Sequence, residues 1–208
     1  TAVNGFAADL TGVQAAALAK TPGVLAVTED EEHHPVYSTV DYLGLPGKKG
    51  VWNQQYGSEK NAGKGTVVGV IDTGYHPQNE FLAGGEVAPL KGKPKVGVPY
   101  LDGEGKIAML KSDGSTFIGE CQTGAAGSGF TGAECNSKVL SARYYADDFL
   151  KFVPPENRHP KESISPLDLN SHGTHTASTA AGNSGVATQV GGRDFGTGSG
   201  VAPAAKVS

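Results

Sequence analysis

Two cysteines, one tryptophan and no block of basic residues set the first limits on this chain of 208 residues. Its 17 lysines and arginines stand against 21 aspartates and glutamates, for a formal net charge of -4. Without a cationic stripe there is nothing to neutralise a phosphate backbone, so no nucleic acid is expected as a partner. No stretch approaches the roughly 20 consecutive apolar residues of a bilayer span, so no membrane span is expected. No secretory leader is visible at residue 1. The sequence there is already inside an element, which leaves export undecided on this ground.

Several chemical motifs are also missing. His-Glu-x-x-His, which sets two zinc ligands and a general base on one helix face, does not occur. His33 and His34 therefore read as surface residues, and His172 and His175 do not read as a zinc pair. No Asp-x-Asp-x-Asp-Gly loop is present, so Asp147-Asp148 reads as a solvated pair. Structural calcium is not indicated. Thr197-Gly-Ser-Gly200 is followed by no Lys-Ser/Thr and is no phosphate cradle. Asp-Thr-Gly occurs once, at Asp72, whereas the aspartic-protease mechanism needs two carboxylates sharing a proton.

What the chain does have is glycine, 31 residues in all, about twice the usual share of roughly 7%. Apolar runs persist throughout, so the glycines imply tight turns and close backbone approaches, not disorder. The length suffices for one sizeable domain and a small one.

Two stretches carry the chemistry. Asn170-Ser-His-Gly-Thr-His-Thr-Ala-Ser-Thr-Ala-Ala-Gly182 predicts a helix of small residues with His172 in its first turn. It has neither a large-apolar stripe nor a charged one, so it must pack against other backbone. Ser171 is the expected N-cap. The positive helix end disfavours an imidazolium, which predicts a neutral ring able to take a proton. Upstream, Thr66-Val-Val-Gly-Val-Ile-Asp-Thr-Gly74 predicts a fully buried strand of a parallel sheet. Asp72 falls at its carboxyl end, where open α/β sheets place their sites. A buried Asp beside a His is the orienting pair of nucleophilic hydrolases.

Val70-Ile-Asp72-Thr-Gly followed by His172-Gly-Thr-His-Thr-Ala resembles the subtilisin-like serine proteases, in that family's chain order of Asp, His and Ser. Gly200-Val-Ala-Pro203 resembles the segment after the histidine helix. Gly119-Glu-Cys121 through Phe130 to Cys135-Asn-Ser-Lys-Val-Leu-Ser-Ala-Arg143-Tyr-Tyr resembles the plant-type (cucumisin-like) branch and its bacterial relatives. Asn4-Gly-Phe-Ala-Ala-Asp-Leu-Thr11 and Pro22-Gly-Val-Leu-Ala-Val27 resemble the second half of the family's inhibitory propeptide.

The resemblance implies an α/β fold: a subtilisin-like parallel sheet flanked by helices, incomplete here, after part of an α+β propeptide domain. Residues 1–34 would be the end of the propeptide and 35–208 the amino-terminal part of the peptidase domain. Asp72 and His172 would be catalytic, acting on protein or peptide substrates without a cofactor. The propeptide would serve as an intramolecular inhibitor, with processing between Glu32 and Ser38. Asp72 and His172 are 100 positions apart, farther than in compact members, which implies an insertion at about 84–166. There the resemblance supports a Cys121–Cys135 disulfide, closing about 15 residues for roughly 3 kcal/mol, and with it a secreted, extracellular setting. The family's Gly-Thr-Ser-Met-Ala motif and oxyanion-hole Asn do not occur among these residues, so the nucleophile is expected beyond Ser208. The family more often has Gly where Ser171 stands. The alternative is a non-catalytic propeptide and half-domain module that binds or inhibits a protease, or an inactive truncated product.

Smaller expectations follow from local patterns. Val3–Leu10 and Val24–Val27 predict strands flanking a helix over Gly12–Lys20, which Thr21-Pro22-Gly23 stops. Trp52 reads as a core or rim aromatic and His76 as a surface residue. The glycine-rich stretch from Gly182 to Gly200 predicts loop.

Overall fold

In a computed structural model, residues 4–30 and 39–208 are described. They fall into two compact units, Thr1–Tyr37 and Ser38–Ser208. His33 and His34, the expected processing region, the 34/35 boundary and the start of the strand expected at Val3 lie outside the described residues.

In the first unit a capping box starts the helix. The Thr11 hydroxyl accepts from the Gln14 N–H, and the Gln14 side chain accepts from the Thr11 N–H at 2.8 Å. Helix α1 then spans Gly12–Leu18. It stops short of Lys20, because Lys20 and Thr21 bond back to Ala17 and Leu18 in the tighter i to i-3 pattern. The two strands expected around it are not formed. Residues 4–10 and 24–27 have no ladder partner among the described residues, and two short segments without a third strand or a packed face pair only marginally. Phe6 and Leu25 are exposed accordingly.

The second unit runs through α2 (Thr39–Tyr42), α3 (Val51–Tyr56), β1 (Val67–Val68), β2 (Pro99–Leu101), β3 (Ile107–Leu110), β4 (Thr116–Ile118), α4 (Asp147–Phe152), α5 (His172–Ala181), β5 (Val186–Val190), β6 (Arg193–Gly198) and β7 (Lys206–Val207). The parallel element is β1 against β7, in register Val67 to Lys206 and Val68 to Val207. The Val70 N–H extends it to the Ser208 carbonyl, and Val139 bridges Val207 in parallel on the other side. The expected parallel sheet is thus present, with α5 packed on it.

The strand before Asp72 is not fully buried as predicted. Val68 and Val70 pack on the core, whereas Ile71 is wholly exposed. Alternate residues of a strand point to opposite faces, and α5 covers one of them. That core joins Tyr75, Leu82, Phe130, Val139 and Val207 to four alanines, Ala142, Ala177, Ala181 and Ala205. Helix α5 buries Gly173, Thr174, Ala177 and Ala181, a stripe at helical spacing made of small residues. Close approach follows: a Cβ on Gly173 would stand 2.2 Å from the Gly74 carbonyl oxygen.

Residues 84–166 carry an antiparallel sheet in the order β2-β3-β4, the α4 turn and a disulfide between Cys121 and Cys135, with Cα atoms 5.9 Å apart. Phe130 inside the disulfide loop meets Tyr75 edge-on, at 6.1 Å between ring centroids. The stretch after α5 is a β5–β6 hairpin, not the loop expected. Gly191 and Gly192 both take positive φ at its tip, as a type I′ turn requires. Trp52 is buried and donates its Nε1 proton to the Val201 carbonyl at 2.8 Å.

Candidate active site

A turn and a helix start bring the site together. β1 delivers the chain to Asp72, where Gly74, at φ 109°, turns it. A Cβ there would meet the Pro166 carbonyl oxygen at 2.3 Å. From the other direction, α5 opens on His172.

The imidazole Nδ1 of His172 lies 2.8 Å from Asp72 Oδ1 and 2.9 Å from Oδ2. A carboxylate only accepts, so Nδ1 carries the proton and Nε2 is left as the acceptor. The imidazole keeps 66% of its side-chain exposure and the Asp72 side chain 16%. The carboxylate is held from behind. The Thr73 N–H donates to Oδ1 at 2.7 Å and the Thr176 hydroxyl to Oδ2 at 3.2 Å. Its pKa lies below the ordinary carboxylate value, first through the Thr73 N–H and then through His172. Asp72 borders an open cleft of about 530 Å³ that runs past Val70–Gly74 and Ala142–Ala146.

Ser171 occupies the N-cap position but does not act as the expected cap. It has φ 74°, and its side chain makes no capping bond. Left-handed backbone swings the hydroxyl away from the helix N–H groups. Asp168 takes over, accepting from the N–H groups of Asn170, Ser171 and Thr174. A glycine in this place would hold the same φ without a Cβ penalty.

Asp72 and His172 are therefore in contact across 100 positions of sequence. His76 and His175 are exposed. Among the described residues no three His, Cys, Asp or Glu side chains group as metal ligands, and no helix is long and apolar enough to cross a membrane. Thr73, Asp168 and Thr176 were not singled out by sequence. An acidic residue just ahead of a helix is a capping signal, and it would have found Asp168.

Comparison with known proteins bears on the same stretches. The subtilase family profile matches residues 63–208, and that of the peptidase inhibitor I9 family matches residues 1–35. Subtilisin-like protease SBT1.4 of Arabidopsis thaliana is 34% identical over 88% of this chain and 20% of its own length. SBT1.6 and SBT1.2 of the same plant are 32% and 34% identical over the whole chain and 23% of their own lengths. The chain thus spans about a fifth of the length of these curated relatives. With the histidine helix and the aspartate turn inside the matched region, the chain belongs to the subtilase family.

Proposed function

We propose that this chain is part of a secreted serine endopeptidase, with Asp72 and His172 as two members of its triad. The observation that carries the reading is the bidentate contact of Asp72 with His172 Nδ1, which leaves Nε2 free on an exposed ring. A serine contributed from beyond residue 208 would complete it. Its hydroxyl attacks the scissile carbonyl carbon while Nε2 takes the proton. The tetrahedral intermediate then collapses with cleavage of the C–N bond, and the imidazolium gives that proton to the leaving amine; water, giving its proton to Nε2, then displaces the acyl group from the serine. Asp72 fixes the tautomer throughout and stabilises the positive ring. These are proton transfers around a hydroxyl nucleophile, so no cofactor is proposed. The substrates are proteins or peptides.

The residues matched by the inhibitor profile are proposed as the end of a propeptide that inhibits the same protein before processing. The Cys121–Cys135 disulfide supports an oxidising, extracellular setting.

The test is fluorophosphonate labelling of the natural protein, with intact mass measured on the same sample. A mass well above 21.2 kDa with one labelled serine is expected. Labelling should fall by about four orders of magnitude in Asp72→Asn, which presents the wrong tautomer. A product near 21.2 kDa that takes no label would sink the enzyme reading in favour of a binding module.

A further inference from the structure

Asp168 has no part in the proton transfers, yet it is among the most heavily hydrogen-bonded side chains near the site. It is 4% exposed. Oδ1 accepts from the Thr73 hydroxyl at 2.9 Å, from the Asn170 N–H at 2.9 Å and from the Ser171 N–H at 2.8 Å. Oδ2 accepts from the Thr174 N–H at 2.8 Å and from the Thr174 hydroxyl. Burial alone would raise its pKa. The Thr174 hydroxyl and N–H, then Asn170 and Thr73, outweigh burial and hold it at about 2. The group is thus a fixed anion at any pH of interest.

Its partners belong to both halves of the site. Asn170 and Ser171 lead into the helix and Thr174 lies in its first turn, so the three flank His172. Thr73 follows Asp72 on the turn. The Thr73 hydroxyl does two things at once, donating to Asp168 and accepting from the Gly173 N–H at 2.9 Å. The Thr73 N–H meanwhile holds Asp72 Oδ1. Backbone bonds run the same way, from the Tyr75 N–H to the Pro166 carbonyl and from the Asp168 N–H to the Tyr75 carbonyl. The Thr174 hydroxyl also accepts from the His76 N–H at 3.0 Å.

We propose that Asp168 is a positioning residue that locks the Asp72 turn and the His172 helix in one register, with the Thr73 hydroxyl as the joint between them. The proposal deepens the triad reading and rests on it. A charge buried between two elements is suited to this task, because each of its donors would be left unsatisfied if either element slipped.

The test uses the full natural protein and two substitutions at the joint. Thr73→Val keeps the shape, removes the link to Asp168 and Gly173, and leaves the functional groups of Asp72 and His172 in place. Thr73→Ser keeps the hydroxyl. Thr73→Val should lower kcat about 10- to 100-fold, the scale of a small misplacement of reacting groups. KM should stay within about 2-fold, since substrate binding is untouched. The downfield resonance of the His172 Nδ1 proton should shift or broaden. Thr73→Ser should restore the resonance and bring kcat to within about 3-fold of wild type. Wild-type kcat and resonance in Thr73→Val would overturn the proposal, as would equal losses in both variants. An unfolded Thr73→Val would overturn it too, because the joint would then serve the fold and not the register. If the wild-type protein neither labels nor hydrolyses peptides, the triad reading fails by itself. The resonance comparison still judges the lock, because it needs only Asp72 and His172.

Discussion

Replacing Ser171 separates two explanations of how the histidine helix begins. If the serine hydroxyl caps the helix, Ser171→Ala should cost about 1 kcal/mol and Ser171→Gly only a few tenths. The structure says otherwise. Ser171 has φ 74°, the only positive φ outside glycine among the described residues, and its side chain caps nothing. A left-handed L-residue costs roughly 1–2 kcal/mol, which glycine avoids. Glycine gives back about 0.5–1 kcal/mol through the greater freedom of the unfolded chain. The expected net effect of Ser171→Gly is therefore neutral to stabilising, by up to about 1.5 kcal/mol. Ser171→Ala keeps the strained φ and loses no hydrogen bond within the protein, so it should stay within about 0.5 kcal/mol of wild type. Urea unfolding reads both, provided the m-value is unchanged. Fluorophosphonate labelling should not change in Ser171→Gly, because Asp168 still holds the N–H groups around His172. A loss near 1 kcal/mol in Ser171→Ala, or any destabilisation in Ser171→Gly, would refute the reasoning and return the cap to the serine.

Three further perturbations test other parts of the molecule. Lys138 is 2% exposed and donates from Nζ to the carbonyls of Pro203 at 2.7 Å and Ala205 at 2.9 Å. Burial, helped by neighbouring Lys206, pushes its pKa down to about 7 from an ordinary 10.5. Between these values the unfolded chain binds one more proton than the folded one, so stability should rise with pH by up to about 1.4 kcal/mol per unit. Denaturant midpoints measured from pH 7 to 10 would show the slope, and Lys138→Met should reduce it, leaving the share of Lys206, whose pKa burial also lowers. Reducing the Cys121–Cys135 bridge should cost about 3 kcal/mol. That loss would appear as a fall in Tm of about 6–12 °C under dithiothreitol, at roughly 2–4 °C per kcal/mol. Gly173→Ala places a methyl 2.2 Å from the Gly74 carbonyl oxygen, which cannot rotate away. The helix must then retreat from the Asp72 turn, and labelling by a fluorophosphonate should drop about 100-fold.

The parts of the site that can be read in the sequence are those encoded by neighbours along the chain. Asp72 ends a short apolar run and His172 opens a helix of small residues, so both stand out within about ten residues of local pattern. Thr11 and Gln14 show the same legibility, since a capping box is a four-residue device. The β5–β6 hairpin was readable in principle. Gly191-Gly192 between Val186–Val190 and Arg193–Gly198 is a two-residue turn signal, obscured by the further glycines around it. Asp168 is legible in part: its bonds to Asn170, Ser171 and Thr174 are a local capping signal, whereas its link to Thr73 spans 95 positions. Lys138 is different. Its acceptors, Pro203 and Ala205, lie 65 and 67 positions away, and no window of local sequence contains them.

The smallness of α5 and the buried charge of Asp168 have a common cause. Gly173 lies against Gly74, and Gly74 against Pro166, so three stretches of main chain meet with no side chains between them. Contacts of that kind bring the elements close enough for Asp72 to reach His172 in two-point contact. They also bury main-chain N–H groups at a helix start, where four lack partners within the helix. Those of Ser171 and Thr174 go to Asp168, and that of Gly173 goes to Thr73. A neutral acceptor in place of Asp168 would have to present both oxygens, which an asparagine cannot do without turning its amide towards a donor. Asp168→Asn should therefore lose both stability and turnover, whereas Thr73→Val should lose mainly turnover. A different ordering of the two losses would mean that the carboxylate and the hydroxyl do not belong to one device.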